Sequence, residues 1–182
     1  MPWKNVYPSM DTTIKAAREY VHHHKFMKGT RCPVCDRRVK VDVRVFNRSM
    51  ARGLIWLVVA SRARVASDGV EWVDVQRTAP RWMVQTQQFA TTRYWGLIEP
   101  MPNEDKRKKD SGIWRPTQKG IDFVENGTLI PAAAGFYNGK VDHFSSEQVD
   151  ISECFGVAFD YGQLMASCGS ADMNTVLENF CR

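Results

Sequence analysis

No run of apolar residues in this chain approaches the roughly 20 needed to cross a bilayer. The longest candidate, Gly53 to Ala60, is short and runs on into Arg62 and Arg64. The opening stretch MPWKNVYPSMDT has no apolar core of the kind an export signal carries, so a cytoplasmic location with no membrane partner is expected. Cysteine is sparse and odd in number, five in 182 residues, which speaks against a disulfide framework and for thiols or metal ligands. Phosphate-binding glycine loops, a nucleophile elbow and an HExxH pair are all missing, and no enzyme is expected. The carboxylates Asp142, Glu147, Asp150 and Glu153 are spaced too irregularly to predict a metal-dependent active site and read as a solvated acidic surface.

What is present is ordinary in amount and uneven in placement. A hydrophobic fraction of 43% and a charged fraction of 25% suit a globular protein, and 182 residues can bury a proper core. The net charge of +5 conceals a strong asymmetry: residues 31–120 carry eighteen basic against nine acidic residues, and residues 121–182 carry two against nine. A basic block followed by an acidic tail fits a middle region that faces phosphates. The tail reads as a solubilising surface, as a shield for the basic face, or as a surface that meets another protein.

Periodicity organises the chain into three parts: residues 1–46, 47–127 and 128–182. A helix is predicted from Asp11 to Met27, with Ile14, Ala17 and Val21 on one face. A turn, Cys32-Pro33-Val34-Cys35, follows, and Val39 to Val45 alternates as a half-buried strand does. Asn47 or Ser49 caps a helix carrying Met50, Leu54, Ile55, Val58 and Val59. Trp72 to Val75 is a short strand, and Thr78-Ala79-Pro80 opens a second helix. A recognition helix around Gln85–Arg93 comes next, starting anywhere from Met83 to Gln87. Gly96 ends it, and Leu97-Ile98-Glu99 and Ile113-Trp114-Arg115 flank a basic loop. Thr117 caps a helix with Ile121, Phe123 and Val124 that Asn126-Gly127 stops. Leu129 to Ala134 is expected to pair with Gly135-Phe136-Tyr137, and Asn138-Gly139 predicts a type I′ hairpin. Short helices are expected around Ile151–Phe155, Tyr161–Ala166 and Met173–Phe180.

The residues Gly96-Leu97-Ile98, Asp105-Lys106-Arg107 and Thr117-Gln118-Lys119-Gly120 resemble the wing region of MarR- and PadR-type regulators. The likeness covers about thirty residues. It implies an α+β fold with a winged helix-turn-helix core, flanked here by an N-terminal helix with a CxxC knuckle and by a mixed C-terminal extension containing a β-hairpin. Taken whole, the chain resembles small bacteriophage and bacterial proteins with a winged-helix middle, which places it in the host cytoplasm if phage-encoded. The function implied is regulatory binding of double-stranded DNA.

The residue types agree with that implication. Gln85, Thr86, Gln87, Gln88, Thr91, Thr92 and Arg93 form a polar run opposite an apolar face, and glutamine and arginine pair with adenine and guanine edges. Lys106, Arg107, Lys108 and Lys109 suit the DNA backbone or minor groove. Arg44, Arg48 and Arg52 are candidates for flanking phosphates. Trp56, Trp82, Trp95 and Trp114 are read as core and wing packing rather than stacking platforms. The competing reading is a protein-binding module that occupies a host factor or defence complex.

Cys32 and Cys35 are half of a structural zinc site, which needs four ligands. Of His22, His23 and His24, consecutive on a helix, one or two can reach the turn, and His22 and His24 are the candidates taken with the cysteines. Cys154, Cys168 and Cys181 are remote in sequence. The alternatives are a hairpin held by packing alone and a site completed by a second copy in a homodimer.

Overall fold

The computed structural model describes residues 13–25, 28–86, 88–103 and 111–156. Along the chain run α1 (Ile14–His24), β1 (Thr30–Arg31), β2 (Arg38–Val39), β3 (Asp42–Val45), α2 (Arg48–Asp68), β4 (Val73–Asp74), α3 (Val75–Thr78) and α4 (Arg81–Thr86). A 3-10 helix (Phe89–Trp95) follows, then β5 (Ile98–Pro100), β6 (Ile113–Pro116), α5 (Gln118–Glu125), β7 (Ile130–Pro131), β8 (Ala133–Tyr137), β9 (Lys140–Phe144), β10 (Gln148–Val149) and a short 3-10 turn (Glu153–Phe155). The architecture is mixed α+β with several small sheets. The helices expected around Tyr161–Ala166 and Met173–Phe180 lie outside the described residues.

Two compact units emerge. The first joins the described residues up to Arg44 with Ala134–Phe144; the second is Val45–Ala133 continued from Ser145. The Asn138-Gly139 hairpin forms as its sequence predicts, with both residues at positive φ, 50° and 73°, the signature of a type I′ turn. It does not belong to a C-terminal extension, however. Its strands complete the sheet β3-β8-β9 of the first unit. Leu129 to Ala134 pairs elsewhere as well: β7 meets β10, with Ile130 opposite Val149, instead of turning back on Gly135–Tyr137.

In the first unit, α1 begins at a Thr13 cap whose hydroxyl accepts the Ala16 N–H at 3.2 Å. The alternating stretch from Val39 to Val45 is two strands rather than one. Val41 leaves the ladder and donates its N–H to the Lys25 carbonyl at the end of α1, 3.2 Å away. The buried apolar side chains described in this unit are Ala17, Val21, Val41, Ala134 and Phe136. Lys25 is also buried, 4% exposed, with its ammonium ion-paired to Asp142 and 4.8 Å from the centre of the Tyr137 ring.

The second unit is built around α2. Asn47 caps it, accepting the Met50 N–H at 3.2 Å, and Gly69 ends it in the left-handed region at φ 68°. Met50, Ala51, Leu54, Ile55, Trp56, Leu57 and Val58 are all buried, so the first half of this helix is apolar round most of its circumference and enclosed, while beyond Ser61 most of its residues are exposed. A three-stranded antiparallel sheet of order β4-β6-β5 packs beside it, with Val73 opposite Trp114 and Ile98 opposite Pro116. Aromatic rings fill the space between: Phe46 meets Trp95 and Phe123 edge to face, each at 5.4 Å, and Phe89 meets Trp114 at 5.8 Å. Trp95 has its indole N–H satisfied by the Pro131 carbonyl at 2.8 Å. Trp56, Trp95 and Trp114 are 2–3% exposed, the packing role their sequence suggests.

Candidate functional site

The segment from Arg81 to Pro116 holds most of the residues with nucleic-acid chemistry, and its local folding differs from expectation at one point. A continuous recognition helix over Gln85–Arg93 does not form. Instead α4 closes at Thr86, and residues 89–95 wind as a tighter 3-10 helix. The physical reason lies in the paired threonines. Thr92 Oγ1 donates to the Phe89 carbonyl three residues back, at 2.7 Å, and the Thr91 N–H bonds the Gln88 carbonyl at 3.0 Å. Bonds of that i−3 span favour 3-10 winding and compete with α-helical ones.

This winding turns two of the expected DNA-facing residues inward. Thr92 is fully buried and Thr91 is 8% exposed. Neither can meet a groove, and their assignment to an exposed face is corrected here. Gln88 is half-buried, with Oε1 enclosed and without a hydrogen-bond partner among the described residues. Arg93 is half-buried and donates to the Tyr94 hydroxyl at 3.1 Å. Gln85 and Thr86 remain exposed at the end of α4. Gln87 and the loop residues Lys106, Arg107, Lys108 and Lys109 lie outside the described residues.

Arg81, exposed in the first turn of α4, joins Gln85 and Thr86 and was missed from sequence. The signal was available: Pro80 opens the helix, and residues 81 and 85 stand one turn apart on the same face. Arg52 on α2 stacks over Trp82 of α4, 3.9 Å from guanidinium to ring centre, and so pins α4 to the central helix. Arg48 is exposed near the N-terminus of α2, its guanidinium 5.9 Å from the Phe155 ring. Arg44, in the first unit, pairs with Asp42 at 3.0 Å and lies over Phe136.

Behind β5, the sequence Thr117-Gln118-Lys119-Gly120 forms a clasp. Thr117 Oγ1 accepts the Gly120 N–H at 3.1 Å as the cap of α5 and donates to the Gly96 carbonyl at 2.6 Å. The Thr117 N–H bonds Leu97 O at 3.0 Å, and the Lys119 ammonium reaches the Trp95 carbonyl at 2.9 Å, at the negative end of the 3-10 helix. Gly120 permits the approach: a β-carbon there would stand 2.1 Å from the Leu97 carbonyl oxygen. The four residues that resemble a wing motif therefore fasten α5 to the turn that launches β5.

A cavity of about 570 Å³ lies beside the second half of α2, lined among others by Val58, Val65, Glu71, Glu99 and Arg115. Its charges are internally matched. Arg115 donates to both Glu99 and Glu71 and stacks on Trp72, and Arg62 pairs with Glu125.

The cysteine turn of the first unit is well ordered by its backbone. The Cys32 N–H donates to Arg37 O at 2.8 Å, the Asp36 N–H to Cys32 O at 2.9 Å, and Asp36 takes a left-handed φ of 54°. Backbone N–H groups of Val34 and Cys35 point at the Cys32 sulfur, and these bonds, ahead of the opposing effect of burial, lower its pKa below the ordinary thiol value. Of the two expected histidine ligands, His22 lines a cavity with Cys32 and Cys35. His24 stacks on Tyr20 at 4.1 Å with Nδ1 2.7 Å from the Tyr20 carbonyl. Among the described residues no group of three His, Cys, Asp or Glu side chains is already gathered to hold a metal.

Cys154 behaves oppositely to Cys32. Burial first, then the charges of Asp150 and Glu153, push its thiol pKa up to about 12. At neutral pH iodoacetamide is accordingly expected to label Cys32 at least tenfold faster than Cys154, read by peptide mass spectrometry. Equal rates would show that the N–H groups of the turn do not stabilise the thiolate.

Among the described residues no helix is long and apolar enough to cross a membrane. Comparisons of the chain with protein-family models, with curated proteins and with solved structures find no match.

Proposed function

We propose that the Val45–Ala133 unit is a winged helix that binds double-stranded DNA and serves as a regulator. The observation that carries this reading is the order of its elements combined with the order of its sheet. Helix α2, strand β4, helices α3 and α4, the 3-10 helix, strand β5, a segment with basic sequence, strand β6 and helix α5 follow along the chain, and the strands lie as β4-β6-β5. In that arrangement the loop between the neighbouring strands β5 and β6 is a wing, and α4 is the element offered to a major groove.

The reading is revised from the sequence in where it puts base contacts. Arg81, Gln85 and Thr86 on α4 take that role, and Arg48 and the basic residues Lys106, Arg107, Lys108 and Lys109 hold phosphates. Arginine and glutamine supply bidentate pairs to guanine and adenine, and the loop supplies charge without sequence information. The 3-10 helix acts as the support that holds α4 against α2, not as a reading surface.

The test is fluorescence anisotropy of the full chain on a random duplex across a salt series. Binding is expected to weaken steeply with salt. Changing Lys106, Arg107, Lys108 and Lys109 together to alanine should flatten the slope of log K against log salt by about 3 to 4, roughly one for each phosphate that is no longer neutralised. Absence of binding at low salt overturns the proposal and leaves the protein-binding reading, in which the same scaffold and the acidic tail engage a host factor.

A further inference from the structure

We propose that the groove between α1 and the cysteine turn of the first unit binds a single-chain anionic amphiphile, a fatty-acid carboxylate. Its hydrocarbon chain lies along the apolar side chains of the groove, and its head meets the arginines that line it. This inference is independent of the DNA reading, because its residues belong to the other unit.

Three observations carry it. The first is one face of α1. Ile14, Ala17, Arg18 and Val21 recur at helical spacing, Lys25 follows one turn later, and all five line one cavity. Val34 of the turn and Val39 of β2 face them across it. The cavity has a volume of about 700 Å³, within the range of pockets that hold small molecules. At the helical rise the stretch from Ile14 to Lys25 is about 16 Å long, close to the length of an extended dodecanoate.

The second observation is that part of this apolar lining stands in water. Ile14 is 65% exposed and Val34 is 58% exposed, one on each wall, while Ala17 and Val21 are buried. The third is charge. The lining holds Arg18, Lys25, Arg37 and Arg38 and, among the described residues, no Asp or Glu. Asp142 answers Lys25, and the nearby carboxylates of Asp36 and Asp42 pair with Arg31 and Arg44. Arg18, Arg37 and Arg38 are exposed and have no carboxylate partner among the described residues; Arg38 donates to the Lys28 carbonyl at 3.5 Å, which leaves its charge unanswered.

These features together select the ligand. A guanidinium fork matches a carboxylate, and the aliphatic stems of the arginines extend the apolar surface beside it. A cationic amphiphile would cover the apolar side chains and be repelled by the arginines. A bare anion would satisfy the arginines and leave Ile14 and Val34 in water. A protein partner needs more surface than one groove of this volume supplies. A carboxylate on a hydrocarbon chain meets both demands at once.

The experiment is calorimetric titration of the full chain with dodecanoate, kept below the concentration at which it forms micelles. Saturation at one molecule per chain is expected. Decanoate should bind about tenfold more weakly, because two fewer CH₂ groups are buried. Dodecyltrimethylammonium and acetate should show no binding at the same concentrations. Arg18→Gln, and Arg37→Gln combined with Arg38→Gln, should each weaken dodecanoate binding about fivefold or more. Val34→Glu should weaken it about tenfold or more, through lost apolar contact and like-charge repulsion. Arg64→Gln, in the other unit, should leave it unchanged. All of these side chains but Arg64 are exposed, and Arg64 is half-buried, so the variants are expected to fold. The wild-type chain supplies a second readout: Cys32 lines the groove, and dodecanoate should slow its labelling by iodoacetamide about fivefold or more without changing that of Cys154. Absence of saturable binding, indifference to chain length, or unchanged Cys32 labelling overturns the proposal. So does equally tight binding of dodecyltrimethylammonium, which marks non-specific adsorption, or of acetate, which marks a simple anion site. Protection of Cys32 without ligand, together with a doubled mass in sedimentation, gives the groove to a second copy of the chain and overturns it as well.

Discussion

Alanine in place of Gly120 is expected to destabilise the Val45–Ala133 unit by roughly 3 kcal/mol, the upper end of what overpacking costs. For a unit of this size that corresponds to a fall in melting temperature of roughly 15 °C. Ordinary helix propensity predicts the reverse, since alanine is the better helix former by about 1 kcal/mol. The steric term wins because the obstacle is backbone. A β-carbon at 2.1 Å from Leu97 O cannot be relieved by turning a side chain, so α5 must lift off the β5 turn. Lifting it also strains the Thr117 bonds to Leu97 and Gly96 and the Lys119 bond to Trp95. Thr117→Val keeps the shape and removes the cap, and should cost about 1 to 2 kcal/mol. Thermal denaturation followed by tryptophan fluorescence reports on this region directly, because Trp95 and Trp114 lie within it. A Gly120→Ala chain as stable as the wild type would show that the clasp is not close-packed.

The largest effect in the first unit is expected at Asp142. Lys25 is 4% exposed and its ammonium faces the Asp142 carboxylate and the Tyr137 ring, with His143 Nδ1 3.2 Å from the other carboxylate oxygen. Asp142→Ala removes a carboxylate that pairs with a buried ammonium. Breaking a buried pair costs about 3 to 5 kcal/mol, reduced here to about 2 to 3 because Asp142 is 15% exposed and water reaches it. Lys25→Met should cost less, since the carboxylate it leaves behind keeps solvent and His143. The pair also sets an acid limit. The hydrogen bond from Lys25, then that from His143, hold the Asp142 carboxyl below its ordinary value of 3.8. A group depressed in the folded state contributes stability above the unfolded pKa and loses it as pH falls through the folded one. Wild-type stability should therefore drop below about pH 4 in a step that Asp142→Asn lacks, as urea unfolding at pH 3 and pH 6 will show. An identical acid profile for the two chains would rule the pair out as the cause.

Much of the second unit is legible in its residues because its signals are local. Asn47, Gly69, Gly96, Thr117 and Gly127 each perform at helix ends the role their chemistry suggests, three of them at positive φ. Strands β5 and β6 are legible because one loop joins them. The 3-10 segment is not, because residues 85–93 show the right polar periodicity for a surface helix. The bond of the Thr92 side chain to the Phe89 carbonyl, with that of the Thr91 N–H to Gln88, favours the tighter winding, and burial follows from that. The first unit is hidden from sequence for a different reason. Its sheet pairs β3 with a strand about ninety residues later in the chain, and no local pattern encodes a partner at that distance. The cysteine turn is visible as a motif, but which histidine shares its cavity depends on helix phase and on the ring of Tyr20.

That distant pairing bears on how the protein is made. Residues up to Arg44 leave the ribosome without Ala134–Phe144, the hairpin that completes their sheet and carries the counter-ion of Lys25. Closing so long a loop is slow relative to the helix-rich contacts between α2 and α5, which can form as soon as they emerge. The early-synthesised segment is thus the late-finished one, and during synthesis it passes through an interval in which the Lys25 ammonium must stay hydrated.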